Sequence, residues 1–133
     1  IKASNNDASD LFGQYVELDK DTLAVGSTGE DSNQTTITND NSTASSNNDS
    51  SNSGAVYIYK RTGTSWAQGA YIKASNSGES DGFGSTIALV DNETLAVGAY
   101  GEDSDQSTIT NGISTSSNNN SSNSGAVYVY SFK

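Results

Sequence analysis

The sequence contains no cysteine and no histidine, and each absence excludes a class of function. Without cysteine there are no disulfides, no thiolate chemistry and no zinc–sulfur sites, and the redox compartment stays undetermined. Without histidine the chain lacks the usual general base and the commonest transition-metal ligand. Catalysis would have to rely on carboxylate pairs, as in a glycosidase. Because the acidic residues recur in both halves of the chain and lie in polar loops, we expect a protein that is not an enzyme.

Basic residues and long apolar runs are also scarce. Six Lys or Arg stand against 16 Asp or Glu, which gives a formal net charge of −10. Nucleic-acid binding needs the opposite balance, and attraction to an anionic membrane surface is equally disfavoured. No apolar run approaches the ~18 residues of a membrane-spanning helix, so we expect no membrane insertion. A surface this acidic instead invites a divalent cation.

Apolar residues make up 32% of the 133 residues, so the core must be thin. They cluster in β-rich runs between stretches of Ser, Asn, Thr and Gly. This clustering indicates a folded repeat with long polar loops rather than a disordered chain. No segment of useful length has a helical period, and we therefore predict an all-β fold.

The sequence repeats itself at a spacing of 71 or 72 residues. Such a repeat is one supersecondary unit that must stack on its neighbours to bury its apolar surface. We divide the chain into residues 1–71 and 72–133. The matching segments are Ile1–Asn5 and Ile72–Asn76, Phe12-Gly13 and Phe83-Gly84, Thr22–Gly26 and Thr94–Gly98, Gly29–Ser32 and Gly101–Ser104, and Ser53–Tyr57 and Ser124–Tyr128.

Four strand signals, named A to D, follow one another in the first repeat. Strand A alternates apolar and polar residues around Val16 and Leu18, the period of a half-buried strand. Glycines after strand B are expected to allow positive φ where the backbone turns. Four antiparallel strands per repeat, in tandem, predict two blades of a β-propeller rather than a sandwich. The other predicted segments are strand B at Thr22–Val25 and Thr94–Val97, strand C at Ala55–Tyr59 and Ala126–Tyr130, strand D at Trp66–Lys73, the second strand A around Ile87 and Leu89, and the glycines Gly26, Gly29, Gly98 and Gly101.

Three motifs, in the same order in both repeats, make the chain resemble FG-GAP repeats. Phe-Gly precedes strand A, Leu-Ala-Val-Gly lies at strand B, and Gly-Ala-Val-Tyr lies at strand C. Such repeats are blades of the integrin α-chain head and of many bacterial surface proteins. The resemblance implies propeller blades, an extracellular or cell-surface location, and a role in adhesion or surface assembly.

The chain departs from the family in two places. The family's Gly-Ala-Pro reads Gly26-Ser27-Thr28 in the first repeat and Gly98-Ala99-Tyr100 in the second. The integrin-type calcium loop, an Asp-rich run between strands A and B, is absent. The family's usual metal ligands therefore cannot be carried over to this chain.

Eleven of the 16 acidic residues fall in the D–A connections and B–C loops, at one end of the predicted blades. Hard oxygen ligands from two loops, with Ser and Asn nearby, suit Ca²⁺, and we predict one calcium site per repeat. The alternative is a solvated acidic rim that keeps a repetitive β surface soluble. Duplication in both repeats disfavours a catalytic role. The candidate ligands are Asp7, Asp10, Glu30 and Asp31 in the first repeat, and Glu79, Asp81, Glu102, Asp103 and Asp105 in the second.

Aromatic residues form two groups. Trp66 and Tyr100 are candidate ligand-binding rings, since a lectin would use such rings beside acidic residues to bind sugar. The alternative for both is packing between blades. The tyrosines of strand C alternate with Val or Ile and are predicted to pack on one face. They are Tyr57, Tyr59, Tyr128 and Tyr130.

Two blades leave apolar faces open on both sides, because a propeller needs roughly four to eight. The second repeat lacks its own strand D, and we predict that Ile1–Ser4 of another copy, read as a fragment of strand D, supplies it by β-augmentation. Such a head-to-tail contact closes into a ring or runs on as a filament. A slice of a longer propeller is the remaining alternative.

Three functions stay open at this point. The first is a non-enzymatic adhesion or surface-assembly module, stiffened by calcium, with a surface glycan or a protein receptor as its partner. The second is a carbohydrate-binding, lectin-like propeller. The third is a purely structural filament subunit.

Overall fold

The structure is a computed structural model that describes residues 1–40, 44–113 and 115–132. Within these residues all regular structure is β, in eight strands and without a helix. The all-β prediction is therefore confirmed. The strands are β1 Tyr15–Asp19, β2 Thr22–Ser27, β3 Thr38–Asn39, β4 Ala55–Thr62, β5 Ser65–Ile72, β6 Phe83–Val90, β7 Thr94–Ala99 and β8 Ala126–Ser131.

Five strands form the first sheet, in the order β1-β2-β4-β5-β3, and all neighbours are antiparallel. The predicted strands A to D of the first repeat correspond to β1, β2, β4 and β5. Strand β3 was not predicted. It lies inside the polar B–C loop and pairs with the free edge of β5, with Thr38 opposite Tyr71. We call this first sheet sheet 1.

Three strands form the second sheet, in the order β6-β7-β8, and they correspond to strands A, B and C of the second repeat. No strand pairs with the outer edge of β8 within the described residues, which form two sheets and no closed propeller. Residues Ile1–Ser4, predicted to be a fragment of strand D, form no strand within this chain. We call the second sheet sheet 2.

The main core lies between the two sheets. Strands β2 and β4 of sheet 1 contribute small and β-branched side chains, and sheet 2 contributes the residues that lie against them. A second buried cluster covers the other face of sheet 1 and contains its tyrosines. The core between the sheets includes Ala24, Val56, Ile58 and Ile72 from sheet 1, and Phe83, Leu89, Leu95 and Val97 from sheet 2.

The Phe-Gly motif has the same geometry in both repeats. The Phe12 ring lies edge-on to Tyr57 and Tyr59, with ring centroids 5.3 and 6.3 Å apart. The Phe83 ring meets Tyr128 and Tyr130 at the same two distances. Edge-to-face contacts of this kind stabilise aromatic pairs beyond their buried area. The prediction that the strand C tyrosines pack on one face is confirmed.

The glycines after strand B are needed for space and not for a left-handed backbone. None of the four has a positive φ, contrary to expectation. A Cβ on Gly29 would overlap the carbonyl oxygen of Ser9, and a Cβ on Gly101 would overlap that of Ser80. Positive φ occurs instead in the Phe-Gly motif, at 92° for Gly13 and in the same way at its counterpart in the second repeat.

Candidate functional site

A fully buried ion pair joins the end of β5 to the loop after β2. The Lys73 Nζ lies 2.8 Å from the Glu30 Oε2, and the two side chains are 0% and 3% exposed. The same ammonium donates to the Ser53 Oγ at 2.7 Å. Burial lowers the pKa of Lys73, and the Glu30 carboxylate opposes this shift. A buried charge of either sign is tolerated only when it is paired and hydrogen-bonded, as this lysine is.

Further donors complete the coordination of Glu30. The Tyr71 hydroxyl donates to its Oε1 at 2.8 Å, and the Asn5 Nδ2 donates to the same oxygen at 3.1 Å. The backbone N–H and the hydroxyl of Ser32 both donate to Oε2 at 3.3 Å. Tyr71 lies in β5 and Lys73 directly follows it, so both belong to the predicted strand D. Strand D therefore closes the site.

Glu102 occupies the matching position in sheet 2, and its site is only half complete. Glu102 is only 4% exposed. The Asn76 Nδ2 donates to its Oε1 at 2.8 Å, and the Ser104 hydroxyl donates to its Oε2 at 3.0 Å. These are the counterparts of the Asn5 and Ser32 contacts. In the described part of the chain no lysine forms an ion pair with Glu102, because the second repeat has no strand D there.

A groove lies where that strand would be. Its volume is about 950 Å³, and it runs along β8 past Tyr128 and Tyr130 to Glu102. Its far wall is the B–C loop of the second repeat around Thr110. In sheet 1 the corresponding walls are β4 and β3, and β5 lies between them and pairs with both.

The other predicted calcium ligands mainly brace the loops that carry them. The Asp10 Oδ2 accepts a hydrogen bond from the Asp7 backbone N–H at 2.8 Å, and the Asp81 Oδ2 accepts one from the Gly78 N–H at 2.7 Å. Burial raises the pKa of both Asp10 and Asp81, and the neighbouring Glu30 and Glu102 carboxylates raise them further. The Gly29 N–H donates to the Asp10 carbonyl at 3.2 Å, which joins the D–A connection to the loop after β2.

The remaining acids bond to Asn-rich segments. Asp31 and Asp103 accept the backbone N–H groups of Asn52 and Asn123 at 2.7 and 2.5 Å. Asp7 accepts the Asn48 side-chain amide at 2.7 Å, Asp105 accepts those of Asn118 and Asn120 at 3.0 and 3.1 Å, and Glu79 is exposed. Across residues 1–40, 44–113 and 115–132, no three acidic side chains gather into a group that could hold a metal ion. Calcium binding stays a prediction.

The two candidate sugar-binding rings lie far apart in the topology. Trp66 is the second residue of β5, at the C–D hairpin, and is half-buried, with the Arg61 guanidinium 5.6 Å from its ring centroid. Tyr100 follows β7, at the B–C loop end of sheet 2, and is 64% exposed. They do not share one site. Sugar binding by either ring stays a prediction.

Sequence reasoning placed Lys73 at the end of strand D but did not include it in the site. A signal for its importance was present. Lys2 and Lys73 are the one pair of basic residues that recurs between the repeats, in a chain with six basic residues in all. The recurrence of Glu30 as Glu102 identified the carboxylates, and the same comparison applied to lysine would have identified Lys73, the partner of Glu30.

Comparison with known families finds one repeat family whose model matches two segments of the chain. The family model of the FG-GAP repeat matches residues 1–59 and 66–130. FG-GAP repeats are generally extracellular, non-enzymatic modules of the adhesion type. Comparison with curated proteins and with solved structures gives no match. The described residues include no helix of the length and apolarity needed to cross a membrane. Because the two matched segments span nearly the whole chain, the chain belongs to the FG-GAP repeat family.

Proposed function

We propose that this chain is a non-enzymatic extracellular or cell-surface module for adhesion or surface assembly, and that it stacks head to tail on another copy of itself. One observation carries the proposal. The interface between sheet 1 and sheet 2 has two halves, and a second, uncovered example of each half lies on an outer face of the molecule.

The first half is the apolar face that sheet 1 presents to sheet 2. Val56 and Ile58 of β4 belong to it and are 0% and 2% exposed. The matching residues of β8 are Val127 and Val129, which are 72% and 68% exposed. Sheet 2 therefore carries the same face, and no sheet of the described part of the chain covers it. We call Val127 and Val129 the trailing face.

The second half is the face that sheet 2 presents to sheet 1. Ile87 and Leu89 of β6 pack into the core between the sheets, and Leu89 is 6% exposed. Their counterparts on β1 are Val16 and Leu18, each 60% exposed. We call Val16 and Leu18 the leading face. A trailing face and a leading face from two copies would reproduce the contact already made within one chain.

A backbone seam repeats in the same way. Three N–H groups of the second D–A connection donate to three consecutive carbonyls at the end of the first B–C loop, at 2.8 to 3.0 Å. The donors are Ser80, Gly82 and Phe83, and the acceptors are Ser51, Asn52 and Ser53. The matching donors on the outer side of sheet 1 are Ser9, Leu11 and Phe12. The matching acceptors on the outer side of sheet 2 are Ser122, Asn123 and Ser124.

The outer donor segment already has the conformation that the seam requires. The φ angles are 68° at Ser9 and 67° at Ser80, and 58° at Leu11 and 62° at Gly82. A leucine with φ in this region is unusual, because its Cβ makes the left-handed conformation costly. The segment therefore meets a partner without a further conformational cost, which favours association.

Light scattering on four samples tests the proposal. The wild-type chain is expected to form species heavier than its 13.8 kDa mass. A trailing-face variant, Val127→Asp with Val129→Asp, and a leading-face variant, Val16→Asp with Leu18→Asp, are each expected to be monomeric. Mixing the two variants should give dimers only, because each retains one intact face and a heterologous contact needs one of each.

The controls separate this contact from general charge repulsion. Thr62→Asp adds a carboxylate at an exposed position of the C–D hairpin and should leave the wild-type mass unchanged. A discrete wild-type mass indicates a ring, and heavy, heterogeneous polymer indicates a filament. A wild-type chain that stays monomeric at high concentration, or variants that fail to dimerise on mixing, would contradict the proposal.

A further inference from the structure

We propose that Glu102 is a receptor for a lysine carried by a strand added beside β8, and that Lys2 of a second copy is that lysine. The inference rests on the head-to-tail assembly proposed above and assigns the residues that fix its register. It is drawn from the contacts of two matching segments, Ile1–Asn5 and Ile72–Asn76.

The segment Ile72–Asn76 serves both sheets at once. The Lys73 side chain points into sheet 1 and pairs with Glu30 at 2.8 Å. Its backbone carbonyl accepts the Tyr130 hydroxyl of sheet 2 at 3.5 Å. Asn76 accepts the Tyr128 hydroxyl at 2.7 Å, and its amide donates to Glu102. The segment is therefore a link with one set of contacts to the sheet before it and another to the sheet after it.

The segment Ile1–Asn5 makes only the second set of these contacts. The Lys2 carbonyl accepts the Tyr59 hydroxyl at 2.9 Å, and Asn5 accepts the Tyr57 hydroxyl at 2.7 Å. Asn5 also donates to Glu30 at 3.1 Å. Each contact has its counterpart in Ile72–Asn76. Lys2 itself is exposed, whereas Lys73 is 1% exposed. Lys2 can therefore reach a preceding sheet while its own backbone stays attached to sheet 1.

Glu102 is the acceptor that this lysine fits. It is buried and has two neutral donors, and among the described residues it receives no lysine or tyrosine of the kind that Glu30 receives from Tyr71 and Lys73. A buried carboxylate without a cation is costly, and a lysine from an added strand would relieve that cost. The groove beside β8 gives such a strand access to Glu102. Its two walls match those that hold β5 in sheet 1.

A peptide experiment tests the receptor separately from self-assembly. The probe is a fluorescent synthetic peptide with the sequence of residues 65–76, which contains Tyr71, Lys73 and Asn76. It is titrated with the Val16→Asp, Leu18→Asp variant, whose groove is intact, and binding is followed by anisotropy. The matched controls are a Lys73→Gln peptide and the same protein with Glu102→Gln added.

Binding of the parent peptide is expected, with at least a tenfold weakening by either control, about the effect of losing one charge-assisted hydrogen bond. Combining the two controls should weaken binding little further, because both remove the same contact. Equal binding of the Lys73→Gln peptide would overturn the role of lysine. No binding by any peptide would overturn the receptor site, even if the wild-type chain assembles. Glu102→Gln should melt close to its parent or above it, and such a melting temperature would show that the fold is intact.

The donor is tested in the full chain. Lys2→Gln is expected to weaken assembly by light scattering, and Lys20→Gln, which removes an exposed lysine from the A–B turn, should not. If Lys2→Gln assembles like the wild type, Lys2 is not the donor. If the peptide binds through its lysine while the wild-type chain is monomeric, the receptor site holds and the self-assembly proposal fails.

Discussion

Breaking the buried pair of Lys73 and Glu30 in sheet 1 should strongly destabilise the chain, while the matching substitution of Glu102 in sheet 2 should not. Lys73→Met leaves the Glu30 carboxylate buried without a cation, and Glu30→Gln leaves the ammonium in the same position. Removing one partner of a buried pair costs about 3–5 kcal/mol. Against a total stability of about 5–15 kcal/mol for a domain, this is a large fraction.

The double variant gives the sharper test. Replacing both partners by neutral residues removes the desolvation cost together with the attraction, and the change is often neutral or stabilising. Lys73→Met with Glu30→Gln should therefore recover most of the stability lost by either single variant. The two single costs should not add, because the residues are in direct contact.

Urea unfolding followed by circular dichroism measures these differences as shifts in midpoint at constant slope. Glu102→Gln is the internal control, since it makes the same chemical change at the same structural position but breaks no ion pair among residues 1–40, 44–113 and 115–132. We expect it to change the free energy of unfolding by less than about 1 kcal/mol or to raise it. A cost for Glu102→Gln equal to that for Glu30→Gln would refute the reasoning, and so would a Lys73→Met variant as stable as the wild type.

Four further predictions concern pH, ions and sugars. Burial raises the pKa of Tyr59 to about 12 and that of the other strand C tyrosines further, so stability should fall as pH rises above the unfolded value of 10.0. In a pH titration, the phenolate absorbance of these strand C tyrosines should appear only on unfolding. Burial raises the pKa of Asp81, which means that the ionised carboxylate destabilises the folded state. The free energy of unfolding should therefore rise as pH falls through this raised pKa toward 3.8. Urea unfolding at two pH values should show this rise in the wild type and not in Asp81→Asn. Calcium binding predicts heat in a calorimetric titration and a higher Tm, and the absence of both would contradict it. Sugar binding predicts signals on a glycan array that are lost with Trp66→Ala or Tyr100→Ala.

The sequence was sufficient to locate the strands with strong periodicity. β1 and β6 alternate, β2 and β7 are apolar runs, and each motif recurs at a fixed spacing, so seven strands could be assigned. Strand β3 could not, because Thr38–Asn39 lies in a polar loop and is extended only through its bonds to β5. Its formation is decided by a tertiary contact, which local composition does not report.

The sequence identified the carboxylates of the site but not the lysine that pairs with one of them, again because a tertiary contact decides the pairing. Glu30 and Glu102 were identified because acidic motifs repeat, and their role as calcium ligands stays a prediction. The partner of Glu30 is Lys73, 43 residues away, and the two meet only when β5 has paired with β4. Similarly, Gly29 was expected to turn the chain, and it instead makes room for the carbonyl of Ser9, which lies on another loop.

The link Ile72–Asn76 also determines where the protein can be divided. A cut at the sequence boundary after residue 71 would separate Lys73 from Glu30 and leave sheet 1 with a buried unpaired charge. A cut after Asn76 would keep that pair and deprive sheet 2 of the Asn76 amide at Glu102. The boundary of the sequence repeat therefore does not coincide with the boundary of a unit that keeps all its contacts. Shuffling, duplication or trimming of these repeats should succeed only when the exchanged pieces overlap by the length of this link.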